Sequence, residues 1–104
     1  MDTLLRDESQ PGRLKLQGEL SIFEAARLSA ALLPALEAAP ELSIDLSGVT
    51  GLDSSGVQLM LMLQREAARS GKTLAWTGHS QSVVRVLELL NLGAAFSAPA
   101  HSGN

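Results

Sequence analysis

Polar and apolar residues alternate at Arg13, Leu14, Lys15 and Leu16, which predicts a strand with one buried face. Gly18 closes it, and residues 7–12 ahead of it carry turn chemistry (Asp, Ser, Pro and Gly). Thr3, Leu4 and Leu5 are placed to be its hairpin partner. Ser21 stands three residues before Glu24, the spacing of a capping box, and Ile22, Ala25, Leu28, Leu32 and Leu36 follow at helical intervals. Pro34 falls inside that pattern and is expected to kink or shorten the helix, which is over by Pro40. Alternation returns at residues 41–46, where Leu42, Ile44 and Leu46 oppose Ser43 and Asp45, and residues 47–52 read as a loop. A second helix is predicted over residues 54–70, stopping at Gly71, then a third strand over residues 72–77. Ser80 can cap a third helix with Val83, Val84, Leu87 and Leu90 on one face. Residues 92–96 are expected to return to the sheet as an edge strand, and residues 97–104, small and polar, to form a flexible tail.

Strands that alternate with helices imply βαβ units and a largely parallel sheet. Strands buried on both faces would be continuously apolar, and these are not. The expected fold is therefore α/β: a mixed sheet of four to five strands with about three to four helices packed mainly on one face. At 104 residues the chain is one domain, spanning 1–104 with its core at about 13–96.

Composition narrows the function. The net charge is −3, and no two of the eight Lys and Arg are adjacent. A phosphate-neutralising surface would cluster them, and a stacking surface would want more aromatics than two Phe, one Trp and no Tyr. Neither nucleic acid nor an anionic membrane is an expected partner. The absence of Cys excludes disulfides and thiol catalysis. The start of the chain lacks a basic and an apolar segment, and no apolar run approaches membrane-spanning length, so a cytoplasmic location is expected.

The candidate chemistry gathers at Asp53, Ser54, Ser55 and Gly56, at the start of the second helix. Asp and Ser are preferred N-caps, so capping alone explains much of this segment. A helix start also offers free N–H groups and the positive end of the dipole, where a phosphoryl group is best tolerated. On the same helix Met62 falls within a polar sector of Gln58, Arg65, Glu66 and Arg69 and is expected to be substantially exposed. His79 and His101 are the only histidines, and His79 has no second ligand at metal spacing, so neither a metal nor a cofactor is expected. Ser54, His79 and Asp53 cannot form a hydrolytic triad, because adjacent Asp and Ser do not stand on opposite sides of one imidazole. Gly48, Gly51 and Gly56 match no phosphate-binding loop. No enzymatic constellation emerges.

The run from Ser43 through Asp45-Leu46-Ser47-Gly48 to Asp53-Ser54-Ser55-Gly56 resembles the central signature of the STAS domain, the fold of bacterial anti-sigma factor antagonists. Leu16-Gln17-Gly18-Glu19-Leu20 resembles the end of that family's early strand. Gly71-Lys72-Thr73-Leu74 and the helix closing on Leu90-Asn91-Leu92 fit as well, so the resemblance covers about residues 13–96. It implies a protein-binding regulator: the serine after the Asp, here Ser54 with Ser55 the lesser candidate, is phosphorylated by a partner anti-sigma kinase and the complex then dissociates. Asp53, Ser54, Ser55, Gly56, Gln58, Met62 and Ser21 would line the partner surface. Ser21 stands where the family usually carries an acidic residue. Other STAS domains serve without a phosphorylation cycle, as subunits of lipid-transporting ABC complexes or in chemotaxis-linked assemblies, with an ATPase or signalling protein as partner.

Overall fold

A computed structural model describes residues 4–6 and 12–96 of the chain. The elements follow in the order β1 (Leu4–Arg6), β2 (Arg13–Leu20), α1 (Ile22–Ala38), β3 (Glu41–Leu52), α2 (Ser54–Arg69), β4 (Thr73–Thr77), α3 (Gln81–Leu89) and a 3-10 turn (Gly93–Phe96). The strands form one sheet in the order β1-β2-β3-β4. Three of them, β2, β3 and β4, run parallel, and short β1 pairs antiparallel with β2, Leu4 opposite Leu16. The expected strand over residues 92–96 does not form. That stretch is the 3-10 turn, and Phe96 is wholly buried with its ring edge-on to Trp76 at 5.7 Å. Burying one aromatic against another outweighed the weak strand tendency of a run holding Gly and two Ala. The expected flexible tail, residues 97–104, and His101 lie outside the described residues, as does most of the 7–12 turn.

One register row shows how the sheet is divided. Leu14, Ile44 and Trp76 align across β2, β3 and β4, and all three are buried. The next row, Lys15, Asp45 and Thr77, is part-buried or exposed. Leu28, Leu32 and Leu36 of α1, Leu59, Met60 and Leu63 of α2 and Val83 and Leu87 of α3 join the buried strand residues in one apolar cluster. The helices thus cover one face, as the alternation required.

β3 is longer than expected. It continues through the predicted loop to Leu52, and β2 continues past Gly18 to Leu20. The register against β2 shifts twice, from Lys15–Asp45 to Gln17–Gly48 and from Gly18–Val49 to Glu19–Gly51. Each shift inserts one extra residue in β3. Leu46, Val49 and Leu52 are spaced by three, which a regular strand would send to alternate faces. The two bulges keep Leu46 and Val49 buried and Leu52 packed against the core. Period-two reading broke down here for that reason.

The helix ends follow local chemistry. Gly71 (φ 70°) closes α2, with Lys72 N–H donating to the Ala67 carbonyl at 2.9 Å, and Asn91 (φ 60°) closes α3 through the Leu92 N–H to Leu87 carbonyl bond at 2.8 Å. Ser80 caps α3 by accepting from Val83 N–H. Two expectations about α1 are corrected. The helix runs through Pro34 without ending: Pro34 is exposed, and the Ala30 residue whose carbonyl loses its donor is exposed too, so water can replace the bond. The Ser21 hydroxyl makes no cap bond. Its backbone carbonyl instead accepts from Glu24 and Ala25, while the Glu24 carboxylate is engaged by Arg27.

Candidate functional site

Two neighbouring βα units end in the same way. β2 finishes at Leu20, Ser21 holds the cap position without a side-chain bond and α1 begins at Ile22; β3 finishes at Leu52, Asp53 caps with its side chain and α2 begins at Ser54. Leu20 and Leu52 are register partners, so the two helix starts stand side by side at the carboxyl edge of the parallel strands. Asp53 fixes the second start. Its Oδ1 accepts from Gly56 N–H at 3.1 Å, its carbonyl accepts from Val57 N–H at 3.1 Å, and its own N–H donates to the Leu20 carbonyl at 3.4 Å.

Gly56 explains why the start is so closely held. It is buried, and a Cβ built there would lie 2.5 Å from Leu52 Cδ1 and 2.7 Å from the Leu20 carbonyl oxygen. The first turn of α2 rests directly on the end of β2, with no room for a methyl group. Gly56 is thus buried beneath the helix start that it shapes.

The remaining predicted residues divide by exposure. Asp53, Ser54 and Gln58 are exposed, and Ser21 and Ser55 are half-exposed. Ser54 holds the first helical position, where the backbone N–H groups of the opening turn point outward. Met62 is a correction: it is half-buried and packs against the core. The polar sector around it is anchored by the Glu66–Arg69 ion pair, 2.6 Å, which holds the Glu66 carboxyl below and the Arg69 guanidinium above their ordinary pKa ranges.

Sequence reasoning missed the apolar start of α1. Ile22 was assigned to the buried face, yet it is 63% exposed, and Phe23 beside it is 87% exposed. The signal was legible: counting back from Leu36, Leu32 and Leu28 in fours reaches Glu24, which leaves both Ile22 and Phe23 off the main stripe. A cleft of about 450 Å³ lies between the end of β4 and α3, with Trp76, His79, Leu87 and Glu88 among its walls. None of Ser21, Ile22, Asp53 and Ser54 lines it. Among the described residues no three His, Cys, Asp or Glu side chains converge as metal ligands, and no helix is long and apolar enough to cross a membrane.

The sheet is one-sided, as the strand alternation predicted, and its first two helices start side by side beside the Asp53-Ser54-Ser55-Gly56 turn. The family model described as "Mlab, STAS domain" matches residues 3–96, and the chain belongs to the STAS domain family. Two solved structures are similar in fold. One is SpoIIAA, an anti-sigma factor antagonist in its unphosphorylated form, at 22% identity and a TM-score of 0.72 over 88% of this chain and 83% of that one. The other is an anti-sigma factor antagonist from Mycobacterium paratuberculosis, at 22% identity and a TM-score of 0.76 over 91% and 82%. No curated protein sequence matches the chain.

Proposed function

We propose that this domain is a cytoplasmic regulatory module that binds a protein partner, an anti-sigma kinase or a comparable signalling protein, through the helix starts around Ser54, and that phosphorylation of Ser54 releases it. The observation that carries the reading is the exposed Ser54 at the first position of a helix whose start is held rigid by Asp53 and Gly56. Such a serine is open to a kinase, and a phosphate there meets free N–H groups and the positive dipole end, so the free domain tolerates it. Within a partner footprint the same phosphate adds about −1.5 to −2 charges beside Asp53, to be desolvated on binding. A loss of a few kcal/mol follows readily, and each ~1.4 kcal/mol is a tenfold change in affinity. The domain supplies the acceptor and the surface, and the partner supplies the chemistry.

The test is intact mass from the native host. A fraction heavier by one phosphate, absent in Ser54→Ala, is expected. A wild-type protein that never carries phosphate under any growth condition would sink the switch.

A second reading, that of a constitutive subunit in a larger assembly such as a lipid-transport ABC complex or a chemotaxis-linked module, is favoured by the exposed Ile22 and Phe23, since permanent interfaces are the more apolar kind. Co-purification with an ATPase that Ser54→Asp leaves unchanged would select it.

A further inference from the structure

We infer that Phe23, with Ile22 beside it, is the apolar anchor of the docking surface: its ring enters a ring-sized apolar pocket on the same protein that covers Ser54. The inference rests on the function proposed above and names the contact that would supply most of the binding energy.

Ile22 and Ser54 are each two residues beyond a strand end, and those ends, Leu20 and Leu52, are directly paired. Paired strands lie about 4.8 Å apart and packed helices about 8–10 Å. The two helix starts are therefore within one partner footprint, which spans about 800 Å² per side. The fold leaves these side chains largely in solvent. A hydrophobic staple on α1 would use Leu20 and Ala25, leaving Ile22 and Phe23 outside it. Helix starts favour acidic and small polar residues, and here two large apolar ones occupy the first two positions, at 63% and 87% exposure. Local rules broken at the surface without a folding gain mark functional positions.

Charge at this edge selects the occupant. A membrane-seeking helix start would carry Lys or Arg around its apolar residues. This edge instead exposes the carboxylates of Glu19 and Asp53, and Arg27 is engaged with Glu24. An anionic bilayer would be repelled. A protein pocket fits, because a rigid aromatic side chain buried near the centre of a footprint is a typical binding hot spot.

The experiment uses the full chain with a photo-crosslinking benzoylphenylalanine in place of Gln58, one turn along α2 from Ser54. The host protein it captures is purified and becomes the probe. Its Kd is measured against wild type, Phe23→Ala, Ser54→Asp and, as a control on another helix, Leu89→Ala, which replaces an equally exposed residue. Phe23→Ala is expected to weaken binding at least 30-fold, with an unchanged melting curve because nothing in the fold packs on the ring; Leu89→Ala is expected to stay within twofold. Phe23→Ala within twofold while Ser54→Asp weakens binding overturns the anchor and leaves the docking surface standing. Phe23→Ala weakening binding while Ser54→Asp does not supports the anchor and removes the switch. Capture of no protein, or capture unaffected by both variants, overturns both. Binding of wild type to phosphatidylglycerol vesicles that Phe23→Ala abolishes would replace the protein pocket with a membrane and overturn the inference.

Discussion

Replacing Gly56 by Ala separates this account from ordinary helix chemistry by sign. Within a helix, Gly→Ala normally stabilises by about 0.8–1 kcal/mol, because Ala loses less backbone entropy on folding. At position 56 the added methyl would sit 2.7 Å from the Leu20 carbonyl oxygen and 2.5 Å from Leu52 Cδ1. Leu52 can rotate, but the carbonyl belongs to the strand backbone and cannot turn away without disturbing the β2–β3 pairing. Such overpacking costs about 1–3 kcal/mol, and a collision with backbone belongs in the upper half of that range. After the propensity gain, a net loss of about 1–2 kcal/mol remains. In a domain of this size that is a fall of about 4–15 °C in Tm. Urea and thermal unfolding followed by far-ultraviolet circular dichroism will read it, with Trp76 fluorescence as a second probe. An Ala variant as stable as wild type, or more so, would refute the claim that α2 rests directly on the end of β2.

Asp53→Ala removes the side-chain cap on Gly56 N–H and should cost about 1 kcal/mol, seen as a lower urea midpoint, whereas Ser21→Ala should cost much less because its hydroxyl caps nothing. Trp76→Phe removes the hydrogen bond that Trp76 Nε1 donates to Gln64 Oε1 at 3.1 Å and should lose about 1 kcal/mol in equilibrium unfolding. The Asp45 carboxyl is held below its ordinary value of 3.8, chiefly by the Ser47 N–H it accepts at 2.8 Å, against a smaller opposing effect of burial. Its folded pKa is depressed, so it stabilises above pH 3.8 and that contribution is lost as pH falls through the folded value. Asp45→Asn should flatten the acid limb of a stability profile below about pH 4, and an unchanged slope would count against the bond.

Much of this fold was legible because burial has a period. The 3.6-residue stripe of Leu28, Leu32 and Leu36 and the two-residue alternation of Leu42, Ile44 and Leu46 each record which side faces the core. Gly71 and Ser80 announced helix ends by chemistry that needs no tertiary context. What escaped the reading depended on neighbours distant in sequence. The bulges that keep Leu46, Val49 and Leu52 on one face exist only against β2. The fate of Phe96 was decided by Trp76, twenty residues away in sequence. Asp53-Ser54-Ser55-Gly56 was found for its capping pattern and family likeness, but the reason for its glycine lies in the Leu20 backbone, which no local window contains. Ile22 reads as core because it is apolar and falls at a helical interval from Ala25, although the count in fours back from Leu36 already sets it and Phe23 outside the main stripe.

The most direct test of the central claim is the affinity of the captured partner for this domain before and after phosphate is placed on Ser54 by semisynthesis. The account predicts that the phosphorylated protein keeps its circular dichroism spectrum, because the exposed helix start tolerates the charge, and binds at least tenfold more weakly. Equal affinity of the two forms would contradict it and leave the helix starts as a surface that Ser54 does not control.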